Sequence, residues 1–224
     1  MFYDTIIFDL DGTLLNTLPD LHAAVNHALK SYALPERTMD EVRRFVGNGI
    51  KKLIMRAVPE NCDEKTALQV FECFKAYYKD NSCNLTHPYE GIPELLARLG
   101  AEGAKLAVVS NKAHFASVHI CEKYFPGVFH LILGERESEG IAKKPAPDGV
   151  FEAIEKLGAK SAVYVGDSDV DIDTANNSHL PCIAVTWGFR EEALLIDKGA
   201  KYLAHTTGEL YNYISEGCNA HTDD

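Results

Sequence analysis

Asp9 and Asp11 stand on either side of a single leucine, directly after the apolar run Thr5-Ile-Ile-Phe8. Ser110 and Asn111 close a second run that begins at Lys105. Asp167 and Ser168 follow a third, Ala162 to Gly166, with Asp169 and Asp171 just beyond. Lys143 and Lys144 precede Pro145 in the segment between the second and third of these runs. Carboxylates brought together cannot stay uncompensated. Two unit charges about 4 Å apart repel by about 4 kcal/mol at an effective dielectric of about 20. They must raise one another's pKa or take up a cation. All the candidate ligands are hard oxygens, and no Cys or His joins them, which favours Mg²⁺ over zinc or copper. Mg²⁺ held by few carboxylates pairs characteristically with a phosphate group. The same set supplies the remaining parts of phosphoryl chemistry. Asp9 is a nucleophile for phosphorus, and Asp11 a proton donor for the leaving oxygen. Ser110, Asn111 and Lys144 are candidates to hold the non-bridging oxygens.

The elements that must position these residues follow from periodicity. Continuous apolar runs at Thr5–Phe8, Lys105–Ser110, Val128–Leu133, Ala162–Gly166, Cys182–Thr186 and Tyr202–Ala204 read as buried strands. Helical patterns over Ile92–Leu99, Lys112–Tyr124, Asp148–Leu157 and Asp169–Asn177 alternate with them. That alternation predicts a doubly wound α/β parallel sheet covered on both faces. In such sheets ligands bind beyond the carboxyl ends of the strands, where the carboxylates, the hydroxyl and the lysines fall. From Thr17 to Thr86 the pattern is helical throughout, with breaks at Gly47-Asn-Gly49 and Pro59. It predicts an all-helical insert over 17–86 between core segments 1–16 and 87–224. The tail His221–Asp224 is expected to fray.

Composition narrows the partners. The chain has 224 residues, 46% hydrophobic and 25% charged, an ordinary globular balance. With 22 basic against 33 acidic residues its net charge is −11, which argues against nucleic acid as a partner. A small anionic metabolite remains compatible if a local cation receives it. No apolar stretch is long enough to span a bilayer, and no basic segment precedes an apolar one at the N-terminus, so no membrane or export signal is expected. The six cysteines include no C-x-x-C pair and read as reduced, packing thiols of a cytoplasmic protein.

Asp9-Leu-Asp-Gly-Thr-Leu-Leu15, Val108-Val-Ser-Asn-Lys112, Lys144-Pro-Ala-Pro147 and Gly166-Asp-Ser-Asp-Val-Asp171 together resemble the four motifs of the haloacid dehalogenase superfamily. The resemblance implies a Rossmann-like core, Mg²⁺ and phosphatase activity through an aspartyl phosphate. It makes Asp9 nucleophile and metal ligand. Asp11 becomes general acid/base and a ligand through its carbonyl, and Asp167 a further ligand. Asp171 and Ser168 support the metal from behind, and Ser110 and Lys144 hold phosphate. The insert resembles the cap of the branch that carries it just after the first motif. Within that branch Pro19-Asp-Leu21, Phe45-Val-Gly-Asn-Gly49, Lys143-Lys-Pro-Ala-Pro-Asp148 and Val185-Thr-Trp-Gly-Phe189 look most like phosphoglycolate phosphatases. Asn16-Thr17 replaces the usual Asp-Ser after the first motif. The expected activity is therefore hydrolysis of a small phosphomonoester, 2-phosphoglycolate foremost, by a monomer or homodimer. Gly47, Asn48 and Gly49 are candidates for substrate contact from the cap. A sugar phosphomutase or pyrophosphatase of the same superfamily is the alternative. A phospho-accepting receiver module is a further reading, against which stand the helical insert and the absence of Asp from Gly134-Glu-Arg-Glu137. A dehydrogenase is disfavoured because no G-x-G-x-x-G follows a strand.

Overall fold

The computed structural model describes residues 1–218, so the expected fraying of His221–Asp224 lies outside the described residues. The chain divides into two compact units: Met1–Leu15 together with the chain from Pro88 onward, and Asn16–His87.

The first unit is built on a six-stranded sheet. Its strands are β1 (Thr5–Phe8), β4 (Lys105–Ala113), β5 (Leu131–Glu135), β6 (Ala162–Gly166), β7 (Cys182–Val185) and β8 (Tyr202–Ala204). Their order is β5-β4-β1-β6-β7-β8 and every described pairing is parallel. This is a Rossmann-like α/β core. Two two-residue strands, β2 (Leu15–Asn16) and β3 (His87–Pro88), pair with each other where the chain leaves and re-enters this unit. The helices of the first unit are α5 (Ile92–Ala101), α6 (His114–Tyr124), α7 (Asp148–Leu157), α8 (Asp169–Asn177), α9 (Glu192–Asp197) and α10 (Thr207–Glu216).

Burial explains the strand sequences. Ile6, Ile7 and Phe8 are fully buried, as expected for a central strand sandwiched between helical layers. Ile7 packs in one cluster with Ala107, Val109, Leu133, Val150, Ala153 and Tyr164. Phe8 is in register with Val108 of β4 and Val165 of β6, and Asp9 N–H donates to the Val165 carbonyl at 2.9 Å. The ladder thus delivers the residues after Phe8, Val109 and Val165 to one edge of the sheet.

The second unit holds α1 (Leu18–Ser31), α2 (Met39–Phe45), α3 (Ile50–Ala57) and α4 (Glu64–Asn81). Leu21, Val25, Ala28 and Leu29 of α1 and Val70 and Phe74 of α4 are buried. Thr38 and Glu41 form a capping box at the start of α2, and Asp63 caps α4 through the Thr66 N–H. Asp20 is buried and accepts from the backbone N–H of Leu85 and Thr86 and from the Thr86 hydroxyl. One carboxylate thereby fastens the first helix of the unit to its last residues.

Several elements depart from the periodicity reading. The strand expected over Val128–Leu133 is Leu131–Glu135: Val128 N–H closes a turn to the Phe125 carbonyl, and bonding to β4 begins with His130 N–H on the Leu106 carbonyl. The helix expected from Lys112 begins at His114, since β4 runs on to Ala113. Helices α9 and α10 lie in segments for which periodicity predicts no helix. Among the described residues no helix is long and apolar enough to cross a membrane.

Candidate active site

Asp9 leaves the end of β1 almost fully buried. Its Oδ1 lies 2.7 Å from Nζ of Lys144, a buried ion pair. Lys144 sits in the segment before α7 and is itself buried. Its ammonium also donates to Asp171 Oδ1 at 2.7 Å and to the Tyr164 hydroxyl at 3.0 Å. Asp171 is fully buried on α8, and its other oxygen accepts from Ser168 N–H at 3.1 Å and Ser168 Oγ at 2.6 Å. Ser168 is the N-cap of α8 and Asp171 its reciprocal partner, so this capping box fixes the acid that orients Lys144.

Asp167 precedes that cap. Its Oδ1 accepts from the Thr13 hydroxyl at 3.0 Å and its Oδ2 from Phe189 N–H at 2.7 Å. Gly12 has φ +94°, and a Cβ there would lie 2.4 Å from Asp167 Oδ2. The glycine after Asp11 is thus needed both for its backbone conformation and for the approach of Asp167.

Asp9, Asp167 and Asp171 each offer an oxygen, and these oxygens lie within 4.8 Å of one another. Burial pushes the Asp9 carboxyl up to about 7; Lys144 opposes the shift, and Asp171 and Asp11 add to it. Burial, Asp171 and Asp9 push Asp167 well above the carboxylate range. Lys144 is held above its ordinary value because Asp171 and Asp9 outweigh its desolvation. Three buried acids thus face one ammonium, and burial resists ionising all of them without a further cation. An all-oxygen, buried and under-compensated donor set fits a hard divalent cation.

Asp11 stands apart from that trio. Its two oxygens lie 3.0 and 3.2 Å from Nζ of Lys112. Ser110 is buried at the end of β4 and its hydroxyl accepts from Lys112 N–H at 3.3 Å. Asn111 donates from Nδ2 to the Lys144 carbonyl at 3.1 Å, so it braces the lysine segment. In the helical unit Gly47, Asn48 and Gly49 form the loop between α2 and α3. Arg56 donates to the Phe45 carbonyl at 2.7 Å and to Asn48 Oδ1 at 2.8 Å, which ties both sides of that loop to α3.

The sheet edge thus gathers Asp9, Asp11, Ser110, Asn111, Lys144, Asp167, Ser168 and Asp171. Residue patterns passed over Tyr164, Thr13 and the pairing of Lys112 with Asp11. A tyrosine inside the doubly buried run Ala162–Gly166 is a signal that was legible, since a buried hydroxyl needs partners. Thr13 and Lys112 become legible only with the strand register.

Comparison with known proteins assigns the family. Residues 6–185 match the family model for haloacid dehalogenase-like hydrolases. A phosphoglycolate phosphatase of Aquifex aeolicus is 35% identical over 187 residues, covering 82% of this chain and 85% of the relative. One from Mannheimia succiniciproducens is 31% identical over 223 residues, covering 95% and 98%. A crystal structure from Lactobacillus delbrueckii subsp. bulgaricus, provisionally assigned as a phosphoglycolate phosphatase, superposes with a TM-score of 0.89 at 37% identity, covering 96% of this chain and 99% of that one. The chain belongs to the haloacid dehalogenase-like hydrolases, in their phosphoglycolate phosphatase-like branch, a group of phosphoric monoester hydrolases.

Proposed function

We propose that the protein is a Mg²⁺-dependent phosphatase that hydrolyses a small phosphomonoester, 2-phosphoglycolate, through an aspartyl phosphate on Asp9. One observation carries the reading: the two acids of the first motif are held in different surroundings. Asp9 faces Lys144 in the buried acid cluster, whereas Asp11 is paired outside it with Lys112. Two neighbouring carboxylates in unlike environments suit unlike roles.

Asp9 attacks phosphorus as the ester P–O bond breaks. Asp11 enters this step protonated, with its oxygens turned from Lys112 toward the ester oxygen, and gives its proton to the departing alkoxide. Asp11 then takes a proton from the water that attacks the acyl phosphate, which frees inorganic phosphate and regenerates Asp9. Ser110 and Lys144 hold the non-bridging oxygens, with Asn111 bracing Lys144 and contributing its amide. Asp9, Asp167 and the Asp11 carbonyl are the proposed metal ligands, and Asp171 and Ser168 keep that cluster in place. Mg²⁺ bound there supplies charge to the phosphoryl oxygens and favours the ionised form of Asp9. The Gly47–Gly49 loop, with Asn48, is proposed to select the substrate.

The names of the most similar relatives support the substrate assignment. A phosphate-release panel with Mg²⁺ tests it, covering 2-phosphoglycolate, pyrophosphate, nucleotides and sugar phosphates. The expected result is the highest kcat/KM on 2-phosphoglycolate, abolished by chelator and restored by Mg²⁺. Isomerised sugar phosphate without free phosphate would contradict it in favour of a mutase. Full turnover in chelator would overturn the metal assignment.

A further inference from the structure

Lys112 is a second buried cation at this sheet edge, with a side chain only 5% exposed. It is separate from the Lys144 arrangement: its ammonium faces both oxygens of Asp11, not the Asp9–Asp167–Asp171 trio. Its backbone is fixed from several sides. The Lys112 N–H donates to Ser110 Oγ at 3.3 Å, and its carbonyl accepts from Ser117 Oγ at 3.3 Å. The carbonyl also lies where Gly134 of β5 leaves room, since a Cβ on Gly134 would fall 2.6 Å from it. The pairing of β4 with β5 shifts register between Val109 and Ala113, and Lys112 lies inside that irregular stretch. Such local irregularities re-aim side chains near functional sites. Here the stretch commits a lysine that would otherwise prefer solvent.

We infer that Lys112 is the specificity-determining cation that receives a carboxylate on the leaving group. Its substrates are then phosphate esters of short 2-hydroxy acids in preference to neutral alkyl phosphates. The inference rests on the proposed role of Asp11 at the ester oxygen and deepens that reading. The phosphoryl group is already served by Lys144, Ser110 and the acid cluster with its cation. A third negative charge on the substrate has no partner among those groups. In the phosphate ester of a 2-hydroxy acid the carboxylate is one carbon from the ester oxygen. Asp11 reaches that oxygen, and Lys112 Nζ lies within hydrogen-bond distance of Asp11 itself. One ammonium therefore has reach to Asp11 and to a carboxylate so placed, and its three donors can serve both. An analogue lacking the carboxylate leaves the ammonium with Asp11 alone and forfeits a charge-assisted hydrogen bond, which sets the discrimination.

The test compares 2-phosphoglycolate with ethyl phosphate, the same ester with a methyl in place of the carboxylate, in the wild type, Lys112→Met and Lys112→Arg with Mg²⁺. Two non-reacting analogues, 3-phosphonopropionate and propylphosphonate, report binding apart from chemistry. We expect Lys112→Met to lower the kcat/KM preference for 2-phosphoglycolate by about tenfold or more. The Ki of 3-phosphonopropionate should rise by a similar factor while that of propylphosphonate barely moves. Lys112→Arg should retain most of the preference. If Lys112 only positions Asp11, both esters lose rate in proportion and the two inhibitors keep their ratio, which overturns the inference and leaves the phosphatase reading intact. If wild-type protein does not prefer 2-phosphoglycolate to ethyl phosphate, the substrate assignment itself fails. If Lys112→Met does not fold, Lys112→Gln with the inhibitor pair gives the same contrast, and an unchanged Ki ratio there counts against the inference.

Discussion

Tyr164 illustrates how much of the site is decided by single buried atoms. Its hydroxyl accepts from Lys144 at 3.0 Å and lies 3.1 Å from Asp171 Oδ1 and 3.3 Å from the Val109 carbonyl. Burial beside Asp171 and Asp9 keeps that hydroxyl well above its ordinary pKa, so it stays a neutral donor and acceptor. Tyr164→Phe preserves the packing of the strand and removes only the oxygen. A buried group left without its partner costs about 1–3 kcal/mol. The variant should therefore lose stability in that range and bind inorganic phosphate more weakly, because Lys144 is less well oriented. Thermal unfolding and phosphate inhibition check both. An unchanged midpoint together with unchanged inhibition would mean that the hydroxyl is a bystander. Asp9, Asp11, Ser110, Lys144, Asp167 and Asp171 were legible as residue types after apolar runs. The Lys112–Asp11 pair was not, because its meaning depends on which side chains face each other across strands and not on spacing along one, whereas a tyrosine inside the buried run Ala162–Gly166 was readable as a hydroxyl in need of partners.

At the scale of elements, the central strands and most helices were readable because burial on both faces imposes unbroken apolar runs. Helices α7 and α8 occupy the segments that their periodicity predicts. The errors have local causes. Val128 and Phe129 are apolar, but Val128 N–H closes a turn to Phe125, so bonding to β4 starts only with His130 N–H and the paired strand at Leu131. Helix α9 is too short, at six residues, to build a convincing period. In the helical unit, Arg56 is exposed, yet it bonds to Phe45 and Asn48. Arg56→Ala should therefore release the Gly47–Gly49 loop while leaving the helices folded. If that loop selects the substrate, discrimination between 2-phosphoglycolate and p-nitrophenyl phosphate should shrink several-fold, with circular dichroism unchanged. Equal loss on both esters would place the effect on general catalysis and contradict a selecting loop.

For the whole molecule, the acid cluster couples stability to pH and to metal. The Asp9 carboxyl is raised to about 7 in the folded chain from 3.8. Between those values the folded state holds a proton that the unfolded state has released, so stability from this group falls as pH rises through that window. Asp167 is raised as well and pushes in the same direction. Metal-free Asp9→Asn should lack most of this decline and be more stable than the metal-free parent at neutral pH. For a chain of this size each kcal/mol corresponds to roughly 2–4 °C in Tm. If the ionised cluster holds Mg²⁺ as proposed, the ion should stabilise the parent more at pH 7.5 than at pH 5. A parent whose metal-free stability advantage over Asp9→Asn grows with pH would contradict this account of the cluster.

Rapid-mixing kinetics on p-nitrophenyl phosphate separate the roles proposed for Asp9 and Asp11. The nitrophenolate leaving group needs little protonation, so Asp11→Asn should still pass its phosphoryl group to Asp9 and then stall for want of a base. The account predicts a nitrophenol burst of about one equivalent per active site from Asp11→Asn, with Mg²⁺ binding verified in the same preparation, and no burst from Asp9→Asn. A burst from Asp9→Asn and none from metal-loaded Asp11→Asn would reverse the nucleophile and the acid and contradict the account.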